Sequence, residues 1–348
     1  MVQGADDGRS SARVAAPTLS VPRFSVVVPT RGDGEKLQKL FLALERQTLA
    51  KDQFEIVLAF DGAPVPPAIA AGGLNAQSAA RAVALPERRG PGAARNAGAR
   101  ASRGEWIAFT EDDCEPAPDW LEAAAARIAR EPALEALEGA TLLPDGKPAR
   151  RRLDDAPTWL PTNLFVRRDL FERSGGYVEG FFDRRRGIYF REDSDFGFTL
   201  AALPARVGIE PAARVVHPRE HPTWIDPIRW ARRYEMDPLL ASRHPEAFRE
   251  GIEVWRLGPI RIRRPFVRAC GAYVLALVLA GAAALIGEGG VASWFLGLAA
   301  LAFLVVWAKW RLDPRKAPAA LVVPFVLLAA LARGKMRVYT GARPNSAA

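Results

Sequence analysis

The chain has 348 residues, and 48 Lys and Arg against 39 Asp and Glu leave a net charge of +9. That length accommodates one globular domain of roughly 230 residues and a smaller appendix, and two cysteines exclude a disulfide framework, as in a reducing compartment. The basic excess gathers beside apolar runs near the C-terminus, so anionic lipid headgroups are the expected partner and nucleic acid is not.

Residues 1–22 are rich in Gly, Ser, Ala and Asp and hold no apolar run, which predicts a flexible tail without a cleaved signal peptide. The run Phe24-Ser-Val-Val-Val-Pro-Thr30 suits a strand buried on both faces. Residues 34–47 follow with Leu37, Leu40, Phe41 and Leu44 at helical spacing. The unit then repeats. Phe54 to Phe60 predicts a second strand ending at Asp61-Gly62, Arg81 to Leu85 a short third, and Gly90 to Gly98 opens a helix that leads to a strand at Trp106. This alternation predicts an α/β fold with a doubly wound, mostly parallel sheet, whose ligands bind beyond the carboxyl ends of the strands. Thr30, Asp61 and the acidic run Glu111, Asp112, Asp113 lie at such ends.

In an extended chain Glu111 and Asp113 share one face and Asp112 takes the other. Carboxylates crowded at the edge of a buried sheet repel one another unless a divalent cation or strong donors neutralise them. Hard oxygen ligands suit Mg2+ or Mn2+ bridging to a substrate phosphate. The same acids equally suit the first turn of a helix predicted over residues 118–130. Cys114, with no second Cys or His at metal spacing, reads as a small packed residue.

The chain resembles the family-2 glycosyltransferases of the GT-A fold. The resemblance rests on Val28-Pro29-Thr30, Asp61-Gly62, Gly92-Ala-Ala-Arg95-Asn96-x-Gly98 and the acidic triplet in the place of the family's Asp-x-Asp element. It continues through Thr162-Asn163, Gly175-Gly176-Tyr177 and Arg191-Glu192-Asp193-Ser194-Asp195, in the family's order. It implies that Pro29, Thr30, Asp61, Arg95, Glu111 and Asp112 hold a nucleotide-diphosphate sugar. It places Asp113 on the bridging Mg2+ or Mn2+, His217 near the metal or diphosphate, and the general base of an inverting transfer on Asp193. Glu192, Asp195, Arg229 and Trp230 fall on the acceptor or diphosphate side. Glu111 stands where an aspartate is usual, and Asp226 where polymerising members carry the Gln of Gln-x-x-Arg-Trp, which favours transfer of a single sugar.

On residue chemistry alone, Arg95 also suits a solvated helix face, the acids at 192–195 with Ser194 also suit caps of a helix running through Leu200, and a lone histidine such as His217 is more often structural. Gly175-Gly176 followed by Arg184-Arg185-Arg186-Gly187 predicts a turn and a basic loop able to close over a diphosphate.

Residues 269–287 and 289–308, separated by Glu288, are long enough to cross a bilayer, whereas 317–332, with Pro318 and Pro324, suits a short span, a re-entrant piece or an interfacial helix. Arg256, Arg261, Arg263, Arg264 and Arg268 precede the first run, and Lys309, Arg311, Arg315 and Lys316 follow the second. The positive-inside rule then makes the two a hairpin with both basic flanks cytoplasmic, and the tail's Arg333, Lys335, Arg337 and Arg343 favour a third segment that does not span.

The expectation is a multi-pass protein of the cytoplasmic membrane with a tail over 1–22, a catalytic domain over 23–255 facing the cytoplasm, and a membrane region over 256–348. It would move one sugar to a hydroxyl of a lipid-linked or membrane-proximal glycan acceptor, a polyprenyl-linked glycan being the concrete form. A non-catalytic nucleotide-sugar-binding scaffold of the same fold stays open because of Glu111. A sugar-1-phosphate nucleotidyltransferase is disfavoured, since its glycine-rich signature with Arg and Lys is absent after Val28-Pro29.

Overall fold

The structure, a computed structural model, describes residues 21–70, 80–149, 157–219 and 223–341. The expected tail up to residue 20, His221 and Arg343 lie outside them. Strand β1 (Phe24–Thr30) and helix α1 (Gly34–Glu45) lead to β2 (Phe54–Asp61), the one-turn α2 (Pro67–Ala70), β3 (Ala80–Leu85), α3 (Pro91–Ala101) and β4 (Trp106–Phe109). Next come β5 (Glu115–Pro116), α4 (Trp120–Arg130), β6 (Ala136–Leu142), β7 (Leu164–Arg167) and α5 (Arg168–Ser174). A small hairpin of β8 (Phe182–Asp183) and β9 (Ile188–Tyr189) precedes α6 (Glu192–Ala202) and β10 (Val207–Val216). Helices α7 (Asp226–Arg233), α8 (Asp237–Arg243) and α9 (Pro245–Gly251) then reach a second hairpin, β11 (Val254–Leu257) and β12 (Ile260–Arg263). Three long helices close the chain: α10 (Pro265–Leu285), α11 (Gly289–Ala308) and α12 (Ala317–Thr340).

Eight strands form one sheet in the order β3-β2-β1-β4-β7-β6-β10-β5. The first four pair in parallel, as the alternation of strands and helices predicts. β7 then runs antiparallel to both β4 and β6, and the sheet becomes mixed. No helix lies between β6 and β7 among the described residues, and antiparallel neighbours need no crossover. The chain winds one way from β1 to β2 and the other way to β4, so a ligand crevice is expected at the carboxyl ends of β1 and β4.

β2 is buried along its whole length and β1 almost so, which is why both read as apolar runs without alternation. Val26, Val28, Ile56 and Leu58 pack with α1 and α4 on one face, while Val27, Val57, Ile107 and Phe109 pack with α5 and α6 on the other. α3 approaches this second face so closely that a Cβ on Gly98 would stand 2.5 Å from Val27 Cγ1, so glycine is required there.

α10, α11 and the stretch Pro314–Thr340 are long and apolar enough to cross a membrane. The expected domain boundary at 255/256 falls inside the β11–β12 hairpin, whose strands pair Trp255 with Ile262, so the chain leaves that hairpin for α10 only at Arg264. The third segment is a continuous 24-residue helix that runs past 332 through Arg333, Lys335 and Arg337. Ala320, Val323, Leu327 and Ala330 of α12 pack in one cluster with Ala231 and Tyr234 at and after α7, Phe266 and Cys270 of α10 and Val306 of α11.

Candidate active site

β1 and β4 are in register from Phe24↔Trp106 to Val27↔Phe109, so the segments leaving their carboxyl ends emerge side by side. Thr30 Oγ1 donates to Asp112 Oδ2 at 2.7 Å and itself accepts from the Gly32 backbone N–H. Residues 111–114 form a turn closed by Cys114 N–H to Glu111 O, not the extended chain expected, yet the division of faces holds. Asp112 turns to Thr30, while one ligand atom each of Glu111, Asp113, Cys114 and His217 lies within 4.8 Å of the others.

His217 reaches this cluster through the sheet. β10 pairs antiparallel with β5, Val216 opposite Glu115, which lays the residue after β10 beside the acidic turn. Its Nδ1 bonds the Pro218 carbonyl at 2.8 Å and therefore carries a proton, leaving Nε2 3.5 Å from Glu111 Oε2 and 3.9 Å from Asp113 Oδ1. The contact with Glu111 pushes the His217 imidazolium up to about 9. Burial works against ionisation of Glu111, but His217 and the charge of Arg95 hold its carboxyl below the usual range. Burial raises Asp112 in spite of Thr30. Lys36, in the first turn of α1, adds a cation 3.6 Å from Asp113 Oδ2.

Once a cation displaces the proton on His217 Nε2, two carboxylates and an imidazole are a donor set that fits Mn2+ or Mg2+. Burial holds the Cys114 thiol well above its ordinary pKa, so it remains a protonated, packed group beside the cluster.

Arg95, on α3, is 2% exposed and donates to Glu111 Oε1 at 2.8 Å, which removes the solvated alternative. Its guanidinium stands 5.4 Å from the Tyr177 ring, and Tyr177 is fixed in turn by Asn96, which bonds both its N–H and its carbonyl. Arg95 Nε and Nη1, Tyr177 Oη and Glu192 Oε2 are buried with no hydrogen-bond partner among the described residues. Such orphaned groups beside a cavity mark a place for a polar ligand. Asp61 accepts from the backbone of Arg89 and Gly90 and so shapes the loop entering α3.

The cavity holds about 1070 Å³ and is lined by Pro29, Thr30, Asp61, Arg95, the acidic triplet, Glu192, Asp193 and His217. Glu192 and Asp193 form the first turn of α6, whose N-cap is Arg191 in the left-handed region at φ 74°. Burial, reinforced by Asp193, pushes Glu192 up to about 7. Asp193 accepts from the Ser194 N–H at 2.7 Å, so its carboxylate satisfies a helix-end donor while still lining the cavity.

Several expected site residues lie elsewhere. Asp195 is fully buried beneath α6, held by Arg243 at 2.6 Å and His244 at 2.9 Å. Trp230 packs edge-on against Tyr234, Phe266 and Trp310 where α7 meets the long helices, and Arg229 faces solvent beside Asp226. None of Arg184, Arg185 and Arg186 of the basic loop lines the cavity, and Arg184 is paired with Glu87 and Arg186 with Glu235. Lys36, Arg88, Tyr189 and Arg233 line the cavity without having stood out in the sequence. Only Lys36, one turn after the first strand end, lay where a site residue is sought.

The sequence pattern of Glycosyl transferase family 2 matches residues 25–192. The glycosyltransferase AglE of Haloferax volcanii is 26% identical over 270 residues, covering 72% of this chain and 80% of that protein. The succinoglycan biosynthesis protein ExoO of Rhizobium meliloti is 31% identical over 157 residues, 39% of this chain and 44% of that protein. Among solved structures, the mannosyltransferase PcManGT from Pyrobaculum calidifontis in complex with GDP-Man and Mn2+ aligns with a TM-score of 0.52 at 19% identity, over 92% of this chain and 89% of that one. S. aureus TarS 1-349 in complex with UDP aligns with a TM-score of 0.51 at 16% identity, over 92% of each chain. These two likenesses show the fold, a GT-A sheet curled over one ligand crevice. With the strand ends, acidic turn and α6 carboxylates following the order of that family's motifs in this fold, the chain is a glycosyltransferase whose residues 25–192 form a family-2 domain.

Proposed function

We propose that the chain is a metal-dependent, inverting glycosyltransferase that moves one sugar from a nucleotide-diphosphate sugar to a hydroxyl of a lipid-linked or membrane-proximal acceptor. The observation that carries this reading is the convergence in one cavity of the Arg95–Glu111 pair, the Glu111, Asp113 and His217 cluster, and the Asp193 carboxylate. Thr30, Asp61 and Arg95 hold the nucleoside and phosphates of the donor. Glu111, Asp113 and His217 would hold Mg2+ or Mn2+, which when bound neutralises charge on the departing diphosphate. Mn2+ accompanies GDP-Man in the mannosyltransferase neighbour, which fits this donor set. Asp193 accepts the proton of the acceptor hydroxyl as that oxygen attacks the anomeric carbon. Glu111 is bonded on one side to Arg95 and set against His217 on the other, so its departure from aspartate is built into the site and gives the scaffold reading no support.

α10 and α11 form a membrane hairpin in this reading, their exposed Leu275, Val278, Leu298 and Leu301 facing lipid. α12 lies against the catalytic domain instead of crossing, since Arg333 and Arg337 near its C-terminal end pair with Glu235. The catalytic domain faces the cytoplasm, beside the basic flanks of the hairpin. Purified full-length protein screened against nucleotide-sugars should gain thermal stability with one of them only when Mn2+ or Mg2+ is present, and should release its nucleoside diphosphate. Stabilisation that ignores the metal, or a stabilised donor that is never cleaved, would defeat the proposal.

A further inference from the structure

The segment that presents Asp193 is gripped by buried charges from outside its own element. Arg191, the left-handed N-cap of α6, is 7% exposed and donates from Nε to Asp237 Oδ1 at 2.8 Å. Asp237 is completely buried, and its other oxygen accepts from Arg264, the residue from which α10 begins. The two arginines therefore share one carboxylate, and a two-bond path runs from the head of the first membrane helix to the residue before Glu192 and Asp193. A non-glycine residue at φ 74° persists only where its surroundings over-determine it, and here the guanidinium is held both by Asp237 and by the Phe190 ring, 4.1 Å away.

A second grip acts just upstream. Glu235, also with its side chain fully buried, accepts from Arg186 of the β8–β9 hairpin at 2.8 Å and from Arg333 and Arg337 of α12 at 3.2 and 2.7 Å. Asp183, in the same hairpin, pairs with Arg337. Buried ion pairs add little net stability over apolar packing of the same volume, and their best-attested use is to fix one geometry among several. What these pairs fix is the stretch from 183 to 193, which ends on the catalytic carboxylate.

We infer that Asp237 is a positioning residue that, through Arg191, sets the first turn of α6, and that through Arg264 it makes the seating of the membrane helices a condition for an assembled active site. This rests on the transferase reading of Asp193. Glu235 does the same for the β8–β9 hairpin through Arg333 and Arg337.

Full-length protein in detergent micelles, parent and Asp237→Asn, tests this by hydrogen exchange, with Arg264→Gln at the partly exposed end of the path as the second variant should the first fail to fold. Exchange in residues 188–196 should quicken by roughly tenfold, the scale of a single coupling between sites, while 24–30 and 54–61 stay protected. The rate of sugar transfer should fall by about the same factor with the donor KM within about twofold, and Arg264→Lys should recover most of both. Unchanged exchange at 188–196, or equal quickening throughout the sheet, would overturn the inference. A parent that transfers no sugar would defeat the transferase reading alone, because the exchange pattern judges the coupling without any turnover.

Discussion

Arg95 Nη2 donates to Glu111 Oε1 at 2.8 Å from a side chain only 2% exposed, so the first acid of the triplet is the counter-ion of a buried guanidinium. A glutamate's extra methylene gives the reach for this contact while the carboxylate's other oxygen faces His217.

Removing that counter-ion leaves a buried charge uncompensated, which costs about 3–5 kcal/mol. Glu111→Ala should therefore lower stability on that scale even without ligands, and Arg95→Met in the same chain should recover much of the loss. Thermal melts of the two variants and the double variant provide the check; a melt for Glu111→Ala within a degree or so of the parent would remove the pair from the site's scaffold.

Asp113 and Asp112 should differ in their response to metal. Asp113 sits with Glu111 and His217, whereas Asp112 is bonded to Thr30 on the other side of the turn. Asp113→Asn should abolish Mn2+-dependent donor binding, and Asp112→Asn should weaken it by less than about tenfold. Calorimetric titration with donor, with and without Mn2+, decides between them, and equal metal affinity in Asp113→Asn and the parent would remove Asp113 as a ligand.

Asp193 accepts a hydrogen bond from Ser194 N–H, a service asparagine performs about as well. If the carboxylate is only a helix-end partner, Asp193→Asn keeps activity. As general base its loss should reduce turnover by roughly a hundred- to ten-thousand-fold with donor binding retained. Folded variant with near-parental transfer would shift attention to Glu192.

The membrane arrangement is testable by reporter fusions. One at Glu288 should be extracytoplasmic, and those at Arg311 and after Gly341 cytoplasmic, given that α12 is held to the catalytic domain by Arg333 and Arg337. A reporter at Arg311 on the same side as that at Glu288 would refute the hairpin, and an extracytoplasmic C-terminus would make α12 a third crossing.

Glu55 offers a pH test away from the site. Burial pushes its carboxyl up, but bonds from Ser25 and from the backbone and side chain of Arg103 outweigh that and leave its pKa below the usual value. A depressed folded pKa means stability that is full above the unfolded pKa and lost as pH falls through the folded one. Glu55→Gln should cost about 1–3 kcal/mol at pH 7, and the difference from the parent should shrink as pH drops below the ordinary carboxylate range. A constant difference down to pH 3 would contradict it.

The strands and helices up to α3 were legible because β1 and β2 are buried on both faces and α1 keeps Leu37, Leu40, Phe41 and Leu44 on one, so local pattern and tertiary position agree. The acidic turn announced itself by crowding like charges. His217 could be placed beside it only by resemblance, since the β10–β5 pairing that brings it there joins residues about a hundred positions apart. Arg184 and Arg186 read as part of a free basic loop because their partners, exposed Glu87 and buried Glu235, lie far along the chain. Trp230 matched a motif by spacing, yet aromatic surroundings that hold it, Phe266 and Trp310, come from α10 and the turn after α11.

The docking of α12 also orders events during synthesis. Asp183 and Glu235 leave the ribosome about a hundred and fifty and a hundred residues ahead of Arg337, and until that arginine emerges both carboxylates lack a partner they need for burial. The β1–β4 half of the sheet has its core complete far earlier, so the nascent domain should hold nucleotide-facing strands in place while residues 182–193 stay open to protease. Pulse proteolysis of ribosome-held chains and of the released full-length protein should show protection of that stretch appearing only after release, making the docking of α12 the step that completes the enzyme.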